Sequence, residues 1–248
     1  MTLEQFFHAH PKVALAFSGG VDSAYLMYAA KKCGAEINAY YVKTPFQPQF
    51  EYEDAVQLAR QLDVPMTTVH ADVLGEADIV ANPKNRCYYC KRKLFSAILE
   101  QAAKDGFLLV IDGTNASDDA ADRPGMQALQ ELGIRSPLRE CGLSKEDIRK
   151  ASQKAGLFTH DKPAYACLAT RIPTGTPITE QQLALTEKSE AFLRSLGFTD
   201  FRVRLTDAGA KLQLTQAQLP LLLVHRQTIL QELKKDYTAV LLDLEVRQ

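Results

Sequence analysis

The stretch Val13-Ala14-Leu15-Ala16-Phe17-Ser18-Gly19-Gly20-Val21-Asp22-Ser23 decides the fold. Its five apolar residues read as a buried strand, and the two glycines after them supply a tight turn. From Asp22 an amphipathic helical pattern runs to Lys32. Strand, glycine turn and helix start together make an anion site. Backbone N–H groups of the turn and the unpaired N–H groups of the first helical turn converge on one point, where the helix dipole also favours negative charge. The candidate phosphate-binding residues are Ser18, Gly19, Gly20, Asp22 and Ser23. No Gly-Lys-Ser/Thr closes the loop, so it is not a Walker A loop.

Outward from this motif, strand-like runs at Val13–Phe17, Ile37–Val42, Met66–Val69 and Phe107–Ile111 alternate with helical patterns at Asp22–Lys32, Glu51–Leu62 and Cys87–Lys104. This alternation predicts an α/β fold with a parallel sheet covered by helices. Another helix, Ser144–Ala155, opens with Ser144 and Asp147 at capping-box spacing. Between His160 and Pro177 periodicity fails and prolines accumulate, which predicts a long irregular segment around Cys167. Beyond it the pattern reads helix (Thr179–Leu196), two strands (Phe201–Leu205, Lys211–Leu214), helix (Leu219–Lys235) and strand (Ala239–Leu244). The expected organisation is a nucleotide-type domain over 1–160, a loop over 161–178 and a smaller α+β domain over 179–248.

Composition narrows the class. With 248 residues, 46% of them hydrophobic, the chain can bury one large core or two modest ones. A net charge of −1 weighs against a broad basic surface, so nucleic acid is not the expected partner. Met1–Gln5 shows no secretory leader and no run reaches membrane-spanning length, so a cytoplasmic protein without a membrane partner is expected. Five cysteines in such a protein do not form a disulfide framework. Each needs its own explanation.

The run Phe107–Ile111 leads into Asp112-Gly113-Thr114-Asn115-Ala116-Ser117-Asp118-Asp119, a polar loop expected beside the glycine turn because parallel strands end on the same side. Asp118 is a candidate to join Asp22 on magnesium, a hard cation that binds one or two carboxylates plus phosphates. Asp119 and Asp122 read instead as a solvated acidic stretch. Arg202 and Arg204, two apart on a strand, face the same way and suit bidentate phosphate binding, with an exposed strand face as the plainer alternative. Cys167 lies on a loop with Arg171 close in sequence, a setting that favours a reachable, ionisable thiol over a small buried apolar cysteine. Cys87 and Cys90 form a Cys-x-x-Cys at a helix start. No second ligand pair completes a zinc site, which favours a packing role over metal chemistry and leaves redox chemistry as the alternative. Arg86 and Lys91 beside them are candidate phosphate contacts.

Ser18–Ser23 resembles the PP-loop of the ATP pyrophosphatase superfamily, and Gly113-Thr114-Asn115 resembles a segment that lies next to that loop in its members. The resemblance implies ATP as cofactor with Mg2+, and adds Gly113 and Asn115 to the cofactor-binding residues. It narrows with Asn85-Arg86-Cys87-Tyr88-Tyr89-Cys90-Lys91, with Pro163–Gly175 around Cys167, and with Arg202-Val203-Arg204. Taken together these resemble the LarE family, the ATP-dependent sacrificial sulfur transferases of nickel-pincer cofactor synthesis. The resemblance implies adenylation of a pyridinium dicarboxylate mononucleotide, attack by the Cys167 thiolate, and cleavage that leaves a thiocarboxylate on the substrate and dehydroalanine on the protein. It implies a substrate phosphate held by Arg202 and Arg204 with Arg171 alongside. It also implies a homo-oligomer, hexameric in relatives, with other enzymes of the nickel-pincer pathway as transient partners. Only one cysteine lies in the loop, which fits single use rather than a cluster-bearing relative.

Two departures stand out. An acidic residue expected after the arginines is replaced by Leu212-Gln213-Leu214, and the chain ends Asp243-Leu244-Glu245-Val246-Arg247-Gln248 without a Gly-Tyr-Arg-like tail. Competing readings are a PP-loop tRNA thiolase, which would use the Cys-x-x-Cys and a basic surface, and a nucleotide-binding protein without turnover.

Overall fold

Lys12–Ala16 forms β1 at the middle of a four-stranded parallel sheet, because its alternate side chains serve two cores. Val13 and Leu15, both fully buried, join one hydrophobic cluster, and Ala14 joins the other on the opposite face. The computed structural model describes residues 1–118 and 124–247. Asp119 and Asp122 therefore lie outside the described residues.

The elements in order are α1 (Leu3–Ala9), β1, α2 (Val21–Lys32), β2 (Glu36–Lys43), α3 (Gln49–Gln61), β3 (Met66–His70), α4 (Ala77–Val80), α5 (Arg86–Lys104), β4 (Val110–Ile111), α6 (Pro124–Glu131), α7 (Pro137–Glu140) and α8 (Lys145–Lys154). After them come α9 (Glu180–Ser195), β5 (Phe201–Thr206), β6 (Gly209–Leu214), α10 (Leu219–Leu233) and β7 (Val240–Leu242). The first sheet runs β3-β2-β1-β4. The chain moves outward from β1 through β2 to β3, then returns to β4 on the other side of β1. This reversal is the switch point at which open α/β sheets bind ligands, and it puts the loops after β1 and β4 side by side.

Two sequence expectations change. The run predicted as a strand from Phe107 pairs as β4 only at Val110–Ile111, and Leu108 is 91% exposed. The cause is the end of α5: Gly106 adopts φ 79° and the Phe107 N–H closes onto the Ala102 carbonyl, so the chain is spent on a helix cap before it can extend. Helix α1 is an addition. Its signal was the Thr2/Gln5 capping box, both of whose bonds are present, with Phe6 and Phe7 buried behind it.

The chain divides into two compact units: Met1–Ile79 with Asn85–Tyr165, and Val80–Lys84 with Ala166–Gln248. The division is discontinuous. Asn82, 1% exposed and at φ 53°, donates from Nδ2 to the Pro173 and Thr176 carbonyls (2.8 and 3.1 Å), and so ties its short segment to the second unit. That unit has its own sheet, ordered β5-β6-β7, with β5 and β6 an antiparallel hairpin and β7 parallel to β6. Phe201, Val203, Leu212 and Leu214 pack against Leu193 of α9 and against Leu222, Ile229 and Leu233 of α10. Among the described residues, no helix is long and apolar enough to cross a membrane.

Candidate functional site

In the first unit, the glycine turn leaves β1 and enters α2 through Gly20, which has no side chain to cap the helix. The first N–H groups of α2 are thus left for a ligand. Gly19 sits at φ 73°, where an L side chain is strained, and a Cβ there would lie 3.2 Å from the Glu51 carbonyl and 3.3 Å from the Ala55 methyl. Both reasons require glycine. The two serines brace the turn: Ser23 Oγ donates to the Gly20 carbonyl (3.1 Å), the Ser18 and Ser23 hydroxyls meet at 3.1 Å, and the Gly20 N–H donates to Ser18 Oγ (3.3 Å).

The loop after β4 does arrive beside it. A Cβ on Gly113 would come within 2.8 Å of the Ser23 nitrogen, so only glycine lets the two loops approach this closely. Asn115 Nδ2 donates to Asp22 Oδ1 (3.4 Å), and Asp118 Oδ2 accepts from the Asn115 N–H (3.1 Å). Asp118 therefore supports the loop that holds Asp22. Ser18, Gly19, Gly20, Asp22, Ser23, Gly113, Asn115 and Asp118 all belong to this one neighbourhood.

Sequence reasoning missed the cations. A cavity of about 200 Å3 opens against the turn, lined by Ser18, Gly20, Asp22, Lys145, Arg149 and Lys162 among others. Lys145, the first residue of α8, places its Nζ 2.5 Å from Asp22 Oδ2. Its position is set by the Ser144/Asp147 capping box, both bonds of which form, and by its own N–H donating to Ser117 Oγ (3.0 Å). One turn on, Arg149 donates to the His160 and Lys162 carbonyls (2.6 and 2.9 Å). Lys162 pairs with Glu51 and Asp54 (2.9 and 2.7 Å). Arg86 and Lys91 do not line this cavity: Arg86 is buried, and the Lys91 stem packs where a Gly125 Cβ would be. Cys87 and Cys90 stand in the first turns of α5, one exposed and the other half-buried.

The remaining candidates belong to the second unit. Cys167 is half-buried and is the N-cap of a short 3-10 turn, Leu168–Arg171, so the segment predicted as formless is ordered where the thiol sits. The Cys167 carbonyl accepts from the Thr170 N–H and hydroxyl (3.0 and 2.8 Å). Arg171 is not an open cation beside the thiol. It is 1% exposed, bidentate to Glu190 (2.7 and 3.0 Å), and its Nη1 donates to the Ala166 carbonyl (3.0 Å), the residue just before the cysteine. Its guanidinium braces the turn through the Ala166 carbonyl and the Thr170 hydroxyl. The buried guanidinium thus has its charge matched by a buried carboxylate.

Arg202 and Arg204 share the face of β5 opposite Phe201 and Val203, as their spacing required. Arg204 donates to Gln213 Oε1 and, from Nη1, to the Thr170 carbonyl (2.9 Å), so it holds the other end of the cysteine turn. Gln213 passes this contact on through Nε2 to Asp243 (2.8 Å), which also pairs with Lys211 (2.8 Å). Gln213 is thus an amide relay between Arg204 and Asp243. Arg247, after β7, pairs with Asp200 (3.2 Å). Burial, followed by the charges of Arg171 and Arg247, pushes the Arg202 guanidinium down to about 10 and moves Arg204 the same way. The mutual repulsion of these arginines is partly offset by the carboxylates of Glu190, Asp200 and Asp243 nearby.

Among the described residues, no group of three or more His, Cys, Asp or Glu side chains could hold a metal. Magnesium does not need one, since a single carboxylate with substrate phosphates and water suffices. Asp22, a hard oxygen donor on the cavity wall, fits that demand.

Strand, glycine turn, uncapped helix and second loop at a sheet switch point define a PP-loop domain of the ATP pyrophosphatase type. Residues 12–85 match the family described as queuosine biosynthesis protein QueC. The chain belongs to the LarE family: it is 32% identical over 236 residues, 94% of this chain and 86% of the relative, to the pyridinium-3,5-bisthiocarboxylic acid mononucleotide synthase of Lactiplantibacillus plantarum. It is also 37% identical over 218 residues, 88% of this chain and 81% of the relative, to an uncharacterized protein of Synechocystis sp.. A tRNA-specific 2-thiouridylase, MnmA, of Pseudothermotoga lettingae is 26% identical over 61% of this chain and 54% of its own length.

Proposed function

We propose that this chain is an ATP-dependent sulfur transferase of nickel-pincer cofactor synthesis that donates the sulfur of its own Cys167 to a pyridinium dicarboxylate mononucleotide. The observation that carries the reading is the setting of Cys167. Cys167 stands at the N-cap position of an ordered turn whose two ends are held by arginines, Arg171 at the Ala166 carbonyl and Arg204, on β5, at the Thr170 carbonyl. The similarity to the L. plantarum synthase along nearly the whole chain supports it.

In the first half of the reaction a substrate carboxylate attacks the α-phosphorus of ATP and expels pyrophosphate. The N–H groups of the Ser18–Ser23 turn and the α2 N-terminus bind the phosphates, Ser18 and Ser23 keep the turn in shape, and Asn115 orients the Asp22 carboxylate. Magnesium bound at Asp22 would neutralise phosphate charge. In the second half the Cys167 thiolate attacks the acyl carbon and AMP leaves with the C–O electron pair. A base then takes the Cys167 Cα proton, the Cβ–Sγ bond breaks with its electrons going to sulfur, and a thiocarboxylate and dehydroalanine remain. Arg202 and Arg204 bind the mononucleotide phosphate, while Arg171 serves as a brace and not as a phosphate ligand.

The test is intact-protein mass spectrometry after incubation with ATP, Mg2+ and the mononucleotide. Loss of about 34 daltons, the mass of hydrogen sulfide on the thiol-to-alkene step, located at Cys167, supports the reading. Continued turnover at unchanged protein mass overturns it. The reading places the protein in the cytoplasm, with a small molecule as substrate.

A further inference from the structure

We infer that Lys145 is a stand-in cation for magnesium, which keeps the metal out of the site until nucleotide arrives. The inference rests on the reading of the Ser18–Ser23 turn as a nucleotide site. Both Asp22 oxygens are engaged, Oδ1 by Asn115 Nδ2 at 3.4 Å and Oδ2 by Lys145 Nζ at 2.5 Å. The pair is shielded, with side-chain exposures of 36% for Lys145 and 21% for Asp22. An ammonium at this distance competes for the space a metal needs, since Mg2+ coordinates oxygen at about 2.0–2.1 Å and is repelled by an adjacent positive charge.

The backbone of the lysine is anchored. Its Cα is held at the start of α8 by the Ser144/Asp147 capping box and by the bond from its N–H to Ser117. The side chain is free to swing, and among the described residues the other carboxylate lining the cavity, Glu51, is paired with Lys162. Nucleotide phosphates change this balance. They give the ammonium a second anion within the reach of its stem, release Asp22 Oδ2, and supply the remaining oxygen ligands that a single carboxylate lacks. Lys145 therefore makes metal and nucleotide binding mutually dependent, and by linkage each must strengthen the other by the same factor.

The probe is manganese(II) alone, followed by its resonance signal, and ATP titrated calorimetrically with and without the metal. Without nucleotide, Lys145→Met and Lys145→Gln bind manganese on the order of tenfold more tightly than the natural chain. Lys145→Arg, which keeps the charge, does not. Adding Asp22→Asn to Lys145→Met removes the gain. The factor by which manganese raises ATP affinity shrinks in the Met and Gln variants to the same degree. Unchanged or weaker manganese binding in both neutral variants, with ATP still bound, overturns the role of Lys145 and leaves the nucleotide site standing. Failure of the natural chain to bind ATP with or without metal overturns both.

Discussion

At the scale of single residues, the cysteines separate by what surrounds them. Cys167 has a built turn beneath it, whereas Cys87 and Cys90 lie on the surface turns of a helix. Cys167→Ser is expected to release pyrophosphate when given ATP and substrate while yielding no thiolated product and no loss of mass. Cys87→Ala with Cys90→Ala retains one equivalent of sulfur transfer. Chromatography of the product alongside a pyrophosphate assay reads both. Gly113→Ala makes a sharper test of packing. The added methyl meets the Ser23 nitrogen at 2.8 Å, and backbone on both sides leaves nothing flexible to yield. Overpacking of this kind costs about 1–3 kcal/mol. Calorimetric titration should show it as weakened ATP binding, because the start of α2 has to shift. The PP-loop residues were legible because their chemistry is contiguous in the chain. Lys145 was not, since it reaches Asp22 across 123 positions and no local pattern marks it.

At the scale of elements, two devices place the candidate residues, one local and one tertiary. The Ser144/Asp147 box sets where α8 begins and so where Lys145 stands. Ser144→Ala is expected to cost about 1 kcal/mol of stability, seen in denaturant unfolding, and to lower nucleotide affinity through a frayed first turn. The second device is the Arg171–Glu190 pair, whose side chains are 0% and 2% exposed. Glu190 also accepts from the Val203 N–H (2.9 Å), so the pair ties α9, β5 and the cysteine turn together. Glu190→Ala leaves a buried guanidinium uncompensated, a loss of about 3–5 kcal/mol. Urea unfolding measures the loss. Sequence spacing correctly predicted that Arg202 and Arg204 share a face, because a strand repeats every two residues. Spacing could not show that Arg171, which the family resemblance places beside the same phosphate, is bidentate to the buried Glu190 of α9.

At the scale of the whole molecule, acid should reach the second unit's sheet through Asp243. Hydrogen bonds from Lys211 first, then from Gln213, hold its carboxyl down to about 2 from an ordinary value of 3.8. A depressed carboxyl binds more protons unfolded than folded, so its stabilisation is present above about pH 4 and is lost as pH falls towards 2. The melting temperature of Asp243→Asn should fall less steeply than that of the natural chain over this range.

What the sequence by itself determined is the set of features written in short-range periodicity and turn chemistry. These are the parallel sheet, the glycine turn at the end of β1, the capped α8, and the paired arginines on β5. Such features depend on backbone geometry that repeats every two to four residues or on conformations open only to glycine. Tertiary structure alone decided which charges meet. Lys145 with Asp22, Glu190 with Arg171, and Arg204 with the Thr170 carbonyl are each brought together by packing of elements far apart in the chain. Burial then dictates that the partners be satisfied, because an unpaired charge or carbonyl away from water costs more than the contact gains. That is why the residues bracing the cysteine turn and the cation holding the aspartate became visible only once the chain was folded.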